Sequence, residues 1–95
     1  MVEISIHAES FPLFDTGGTS VDIEVAFGMA VRLRRTELGL SQEALAMEAE
    51  VARSFLSAVE RGVKQPTVRT VWKLSQAMSC QPSDIWTTAE WLYSK

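Results

Sequence analysis

The tightest constraint in this chain is the shortness of the link between two helix-like segments. Residues 41–49 place Leu45, Ala46 and Ala49 on one side of a helix, and residues 53–62 do the same with Leu56 and Val59. Only two or three residues separate them. Helices joined so closely cross at a steep angle, roughly 90–120°. The crossing needs a small residue on the first helix, and Ala46 supplies it. The second helix must anchor to a core while its N-terminal half points outward. Leu56 and Val59 anchor it, which leaves Arg53, Ser54, Ser57 and Ala58 on the outward arc, and Val51 sits in the turn as an apolar plug.

The segments on either side follow the same logic. Residues 2–8 alternate, with Val2, Ile4, Ile6 and Ala8 opposite Glu3, Ser5 and His7, the period-two pattern of a short strand. A turn-rich stretch with Pro12, Gly17 and Gly18 follows. From about residue 20 the pattern is helical. Thr19 or Ser20 is expected to cap a first helix, with Asp22 and Glu24 in its first turn and Phe27, Val31 and Leu38 along its buried stripe up to Gly39. Ser41 caps the second helix, and the third stops at Gly62. Thr67 caps a fourth with inward positions at 68, 71, 72, 75 and 78, Ser75 being a small filler. Gln81-Pro82 opens a fifth, whose apolar side is Ile85, Trp86 and Trp91. The expected fold is all-α: a five-helix domain over 21–95 behind a strand-like leader over 1–20.

Composition removes several function classes. At 95 residues, 46% hydrophobic and 22% charged, the chain is one small globular domain. Its longest apolar run, Val25 to Val31, falls far short of the roughly 18 residues a membrane span needs. The start, MVEISIHAES, lacks the basic and apolar regions of a secretion signal. A single cysteine, Cys80, forbids an internal disulfide and fits a cytoplasmic location. The one histidine, His7, lies at the opposite end from Cys80, so no soft-ligand cluster for a metal is expected. No glycine-rich phosphate loop is present either, and neither a cofactor nor an enzymatic activity is expected.

The net charge of −3 hides an asymmetry. Residues 1–24 hold five acids and no base, whereas residues 25–75 hold eight bases against five acids. A basic middle behind an acidic leader suits a nucleic-acid partner better than the total suggests.

The stretch LGLSQEALAMEAEVARSFLSAVERG over 38–62, followed by KQPT and QPSDIW, resembles the lambda-repressor-like, Xre-type helix-turn-helix family. Within it, RSFLSAVERG is similar to the short regulators that control restriction–modification systems. The resemblance spans about 25–86 and implies a sequence-specific, DNA-binding transcriptional regulator acting as a homodimer on a palindromic operator. It implies that Arg53, Ser54 and Ala58 face base edges in the major groove, with Phe55 and Ser57 beside them. Gln42, Lys64 and Gln65 fall at positions that approach the DNA backbone, and Arg35 and Glu60 at positions that form a buried ion pair, Arg35 being a further phosphate candidate. Arginine donates two hydrogen bonds to guanine, so Arg53 is the first choice for base readout.

Two departures from the family pattern bear on stability. Glu50 stands where the turn usually has glycine, and a left-handed non-glycine residue costs about 1 kcal/mol. Ala52 stands where a Ser or Thr usually caps the third helix, a loss of about 1 kcal/mol more. Residues 1–20 have no counterpart in the family. For the subunit contact the open arrangements are antiparallel pairing of the leader through Val2, Ile4 and Ile6, or a leader folded back over its own helices with a face formed by Ile85, Trp86, Trp91 and Leu92, a monomer being the remaining case. A protein-binding adaptor or antitoxin using the same fold is the competing function, and a small hydrolase a remote third.

Overall fold

A side-chain hydrogen-bond acceptor or a proline stands at the head of four of the five helices in a computed structural model, which describes residues 22–94. The described residues form α1 (Ile23–Glu37), α2 (Gln42–Ala49), α3 (Arg53–Glu60), α4 (Val68–Ala77) and α5 (Pro82–Tyr93), with no strand among them. The strand expected over 2–8, the turn at Gly17-Gly18 and the caps Thr19 and Ser20 lie outside the described residues. Ser41 Oγ accepts from the Ala44 amide at 2.9 Å and Thr67 Oγ1 from the Thr70 amide at 3.1 Å, satisfying amides that a helix start leaves bare. At α5, Asp84 reaches back to the Gln81 amide at 2.8 Å, and Pro82 occupies the first turn. α1 begins later than the sequence pattern suggests. Its cap is Asp22, which makes no side-chain capping bond, rather than Thr19 or Ser20.

The core draws on all the helices. Phe27, Ala30 and Val31 of α1 meet Leu45 and Ala49 of α2, Leu56 of α3, and Leu74, Met78 and Ile85 from the C-terminal pair. Two expected stripes shift. Leu38 is 51% exposed because α1 has already ended and its amide closes the last turn on the Arg34 and Arg35 carbonyls; Leu40 packs on the core instead. On α4 the inward row is Val71, Leu74, Ser75 and Met78, a clean i, i+3, i+4, i+7 stripe. Val68 at 89% exposure and Trp72 at 55% fall outside it, one at the helix end and one a quarter-turn past the stripe. Cys80 is half-buried filler against the core.

α1 and α3 approach unusually closely at Gly28. A Cβ placed there would collide with the Val59 carbonyl oxygen and lie 2.8 Å from that of Glu60. These are backbone atoms of a packed helix and cannot swing aside. Helix propensity alone makes Gly28→Ala stabilising by about 0.5–1 kcal/mol. Steric overlap reverses the sign: the expected result is a loss of about 1–3 kcal/mol in chemical denaturation, as for other overpacked sites. An unchanged or raised midpoint would show that α3 does not sit this close to α1.

Candidate nucleic-acid interface

The connection between α2 and α3 is a three-residue turn with defined hydrogen bonds. Glu50 takes the left-handed conformation, φ 60° and ψ 46°, and its amide closes α2 on the Met47 carbonyl. Lys73 reaches the Glu50 carbonyl from α4 at 3.4 Å, a long contact that adds little. The Val51 amide donates to Ala46 at 2.9 Å, and its side chain packs against the core. Ala52 then heads α3 without a side-chain cap, so the first amides of α3 have no partner from that side chain.

α3 divides sharply along its length. Leu56 and Val59 are 1% exposed and fix the helix to the core. Arg53 and Ser54 are exposed, and Phe55 and Ser57 are half-buried at the rim. Ala58 departs from the expected outward arc: it is 6% exposed, and its carbonyl accepts from the Val63 and Lys64 amides as the chain folds back over the end of the helix. It cannot face a base. In its place Arg61, overlooked in the sequence pattern, adds an exposed side chain to the row 53, 57 and 61, of which Ser57 is half-buried. Its Nε lies 3.5 Å from Ser57 Oγ. The four-residue spacing was the available signal.

Behind this face lies the charged cluster that orients it. Arg35 Nε donates to Glu60 Oε2 at 2.7 Å, and its second terminal nitrogen to Oε1 at 2.9 Å. The remaining terminal nitrogen donates to the Leu40 carbonyl at 2.8 Å. Gln42 Nε2 donates to the same Glu60 Oε1 at 3.0 Å, which ties α2 to α3. The hydrogen bond that Arg35 donates to Glu60, and to a lesser degree the Glu60 charge, push the Arg35 guanidinium above its ordinary range against the opposing effect of burial. With its side chain 11% exposed and every nitrogen engaged, Arg35 is not free to meet a phosphate, which corrects that expectation.

The other expected residues are scattered more widely. Lys64 is exposed beside the end of α3, held there by its amide bond to Ala58. Gln65 is exposed too, but its side chain donates to Glu24 of α1 at 3.1 Å. Of the α5 residues expected at a subunit contact, Ile85 is fully interior at 0% exposure and cannot serve, because the α1–α5 packing has consumed it. Trp86 is 41% exposed with its ring 4.8 Å from that of Phe27, and Trp91 is 58% exposed. Val2, Ile4 and Ile6 lie outside the described residues. No group of three metal-ligating side chains occurs among the described residues, and no described helix is long and apolar enough to cross a membrane.

Residues 31–85 match a family model described as helix-turn-helix. The chain is 35% identical over 65 residues to the control protein C.BamHI of Bacillus amyloliquefaciens, covering 67% of this chain and 80% of that protein. Among solved structures, the restriction-modification controller protein C.AhdI of Aeromonas hydrophila matches with a TM-score of 0.64 at 38% identity, over 64% of this chain and 92% of that one. The controller protein C.Esp1396I, solved as a tetramer in complex with its natural 35 base-pair operator, matches with a TM-score of 0.72 over 79% of this chain and 99% of that one. At 17% identity that likeness is one of fold.

Removing one partner of a buried pair strands the other charge, at a cost of roughly 3–5 kcal/mol. Arg35→Met and Glu60→Leu should each lower stability by that order, and the double variant by much less than their sum. Thermal melts of the four proteins measure it; simple additivity would mean that the two residues are not energetically coupled.

Proposed function

Since the chain belongs to the helix-turn-helix family through residues 31–85, we propose that it is a sequence-specific DNA-binding transcriptional regulator that places α3 in the major groove. The observation that carries this reading is the exposed start of α3, Arg53 and Ser54, on a helix whose other face is locked to the core. An uncapped helix start also carries partial positive charge toward any anion before it. Arg53 is the base reader, with Ser54, Phe55 and Ser57 beside it. Gln42, Lys64 and Gln65 lie toward the phosphates, Gln42 through whatever hydrogen-bonding capacity Glu60 leaves it. The partner is double-stranded DNA, no cofactor or catalytic group is assigned, and the place of action is the cytoplasm.

A palindromic operator calls for a homodimer, since a two-fold protein matches a two-fold site. Leader pairing through Val2, Ile4 and Ile6 is the proposed contact, which gives the leader over 1–20 the role of a dimerisation arm ahead of the helical domain over 21–95. The exposed Trp91 side of α5 is the competing one. Deleting residues 1–18 should turn a dimer into a monomer in sedimentation equilibrium. A truncated chain that stays a tight dimer would transfer the contact to α5.

One observation favours the adaptor reading: Val68 and Trp72 are apolar and exposed, and they belong to α4 rather than to α3. Salt separates the two functions. Displacing counterions from DNA makes log K fall with log salt at about −0.9 per phosphate contact, whereas a protein partner gives no such phosphate-linked slope. Arg53→Ala should cost about 1–3 kcal/mol per half-site and relax preference at one base pair. A uniform loss across all sequences would make Arg53 a phosphate contact, and the absence of DNA binding at low salt would overturn the proposal.

A further inference from the structure

α1, α4 and α5 leave an apolar groove open at the surface. Its α1 end is a pocket of about 160 Å3 lined by Ile23, Phe27, Pro66, Val71 and Trp86. Past Pro66 and Trp86 it continues as a cleft of about 290 Å3 bounded by Val68, Trp72 and Pro82. Side chains this apolar would normally be covered in a small domain, and a contiguous exposed patch of them marks a binding surface.

We propose that the groove is the seat of the chain's own residues 11–15, Phe11-Pro12-Leu13-Phe14-Asp15. The chain delivers them there: Asp22 leads directly into Ile23, which lines the α1 end. From Phe14 to Ile23 is nine residues, a reach of up to about 30 Å at 3.3–3.6 Å per residue. That is comparable to the 39 × 32 × 22 Å extents of the molecule and enough to reach along the groove. Both phenylalanines of residues 1–21 fall in this stretch, together with its one leucine, and Pro12 favours an extended backbone that needs no sheet partner.

Charge points the same way. Residues 1–21 carry Glu3, Glu9 and Asp15 and no lysine or arginine. The rim of the groove carries Lys64 at the α1 end and Arg69 beside Val68 and Trp72. The acid on that rim, Glu24, is engaged by Gln65. A tethered segment faces the groove at an effective concentration of order mM, which favours it over a second copy of the chain at µM concentration. The inference does not depend on what α3 contacts.

Nuclear magnetic resonance of the intact chain tests it through the three tryptophan indole signals. In a Phe11→Ser/Phe14→Ser variant, Trp72 and Trp86 signals should shift and exchange at least several-fold faster with solvent, while Trp91 stays in place. A peptide of residues 9–16 added to that variant should move the two signals back. If neither Trp72 nor Trp86 responds to the substitutions, the groove is not the seat of this segment. If both signals instead move on dilution, in the intact chain and the variant alike, the occupant is a second copy and the proposal fails. Positions 11 and 14 precede the five helices in sequence, and circular dichroism verifies that the helices persist.

Discussion

The whole arrangement depends on a buried charge pair, Arg35 with Glu60. Each carboxylate oxygen of Glu60 receives a guanidinium nitrogen, and Gln42 adds a third donor from α2. The remaining Arg35 nitrogen holds the Leu40 carbonyl at the α1–α2 turn. A single cluster thus joins three helices at 2.7–3.0 Å. The same turn of α3 is where Gly28 lets α1 come against backbone carbonyls. Steric fit and ionic fit therefore meet at Glu60. Desolvating two charges offsets most of the attraction between them, so the pair contributes less to net stability than to direction. It determines how α3 is set against α1, and hence where Arg53 stands.

That direction matters because α3 has only eight residues and two tasks. Its inner face is committed to the core through Leu56, Val59 and Glu60. Arg53 and Ser54 at its start are left to solvent, and the turn after Gly62 folds back over Ala58. The outward row therefore runs from Arg53 through Ser57 to Arg61, narrower than an arc read from helical spacing alone. The strained Glu50 and the uncapped Ala52 sit between the anchored helices. Each costs on the order of 1 kcal/mol, and the packing of Leu45, Leu56 and Val51 around the turn offsets them.

Helix positions were legible in the sequence because they are set locally. Ser41, Thr67 and Pro82 mark three starts, and Gly39 and Gly62, both at positive φ, mark two ends. The Arg35–Glu60 pair came through family resemblance, since 25 residues of separation leave no local trace. What periodicity could not supply was the third dimension. Leu38 and Ile85 have the same apolar character, yet one lies past a helix end and the other beneath α1. Ala58 looks outward until the following loop is placed. Gly28 reads as a gap in an apolar run until α3 is laid across it.

Sequence-specific recognition of DNA is the central claim, and selection of tight binders from a random-sequence DNA pool by the full chain tests it most directly. The account predicts enrichment of one site with two related half-sites, separated by about one helical turn or a multiple of it. A pool that remains random after repeated rounds at low salt, while the chain stays folded, would contradict it.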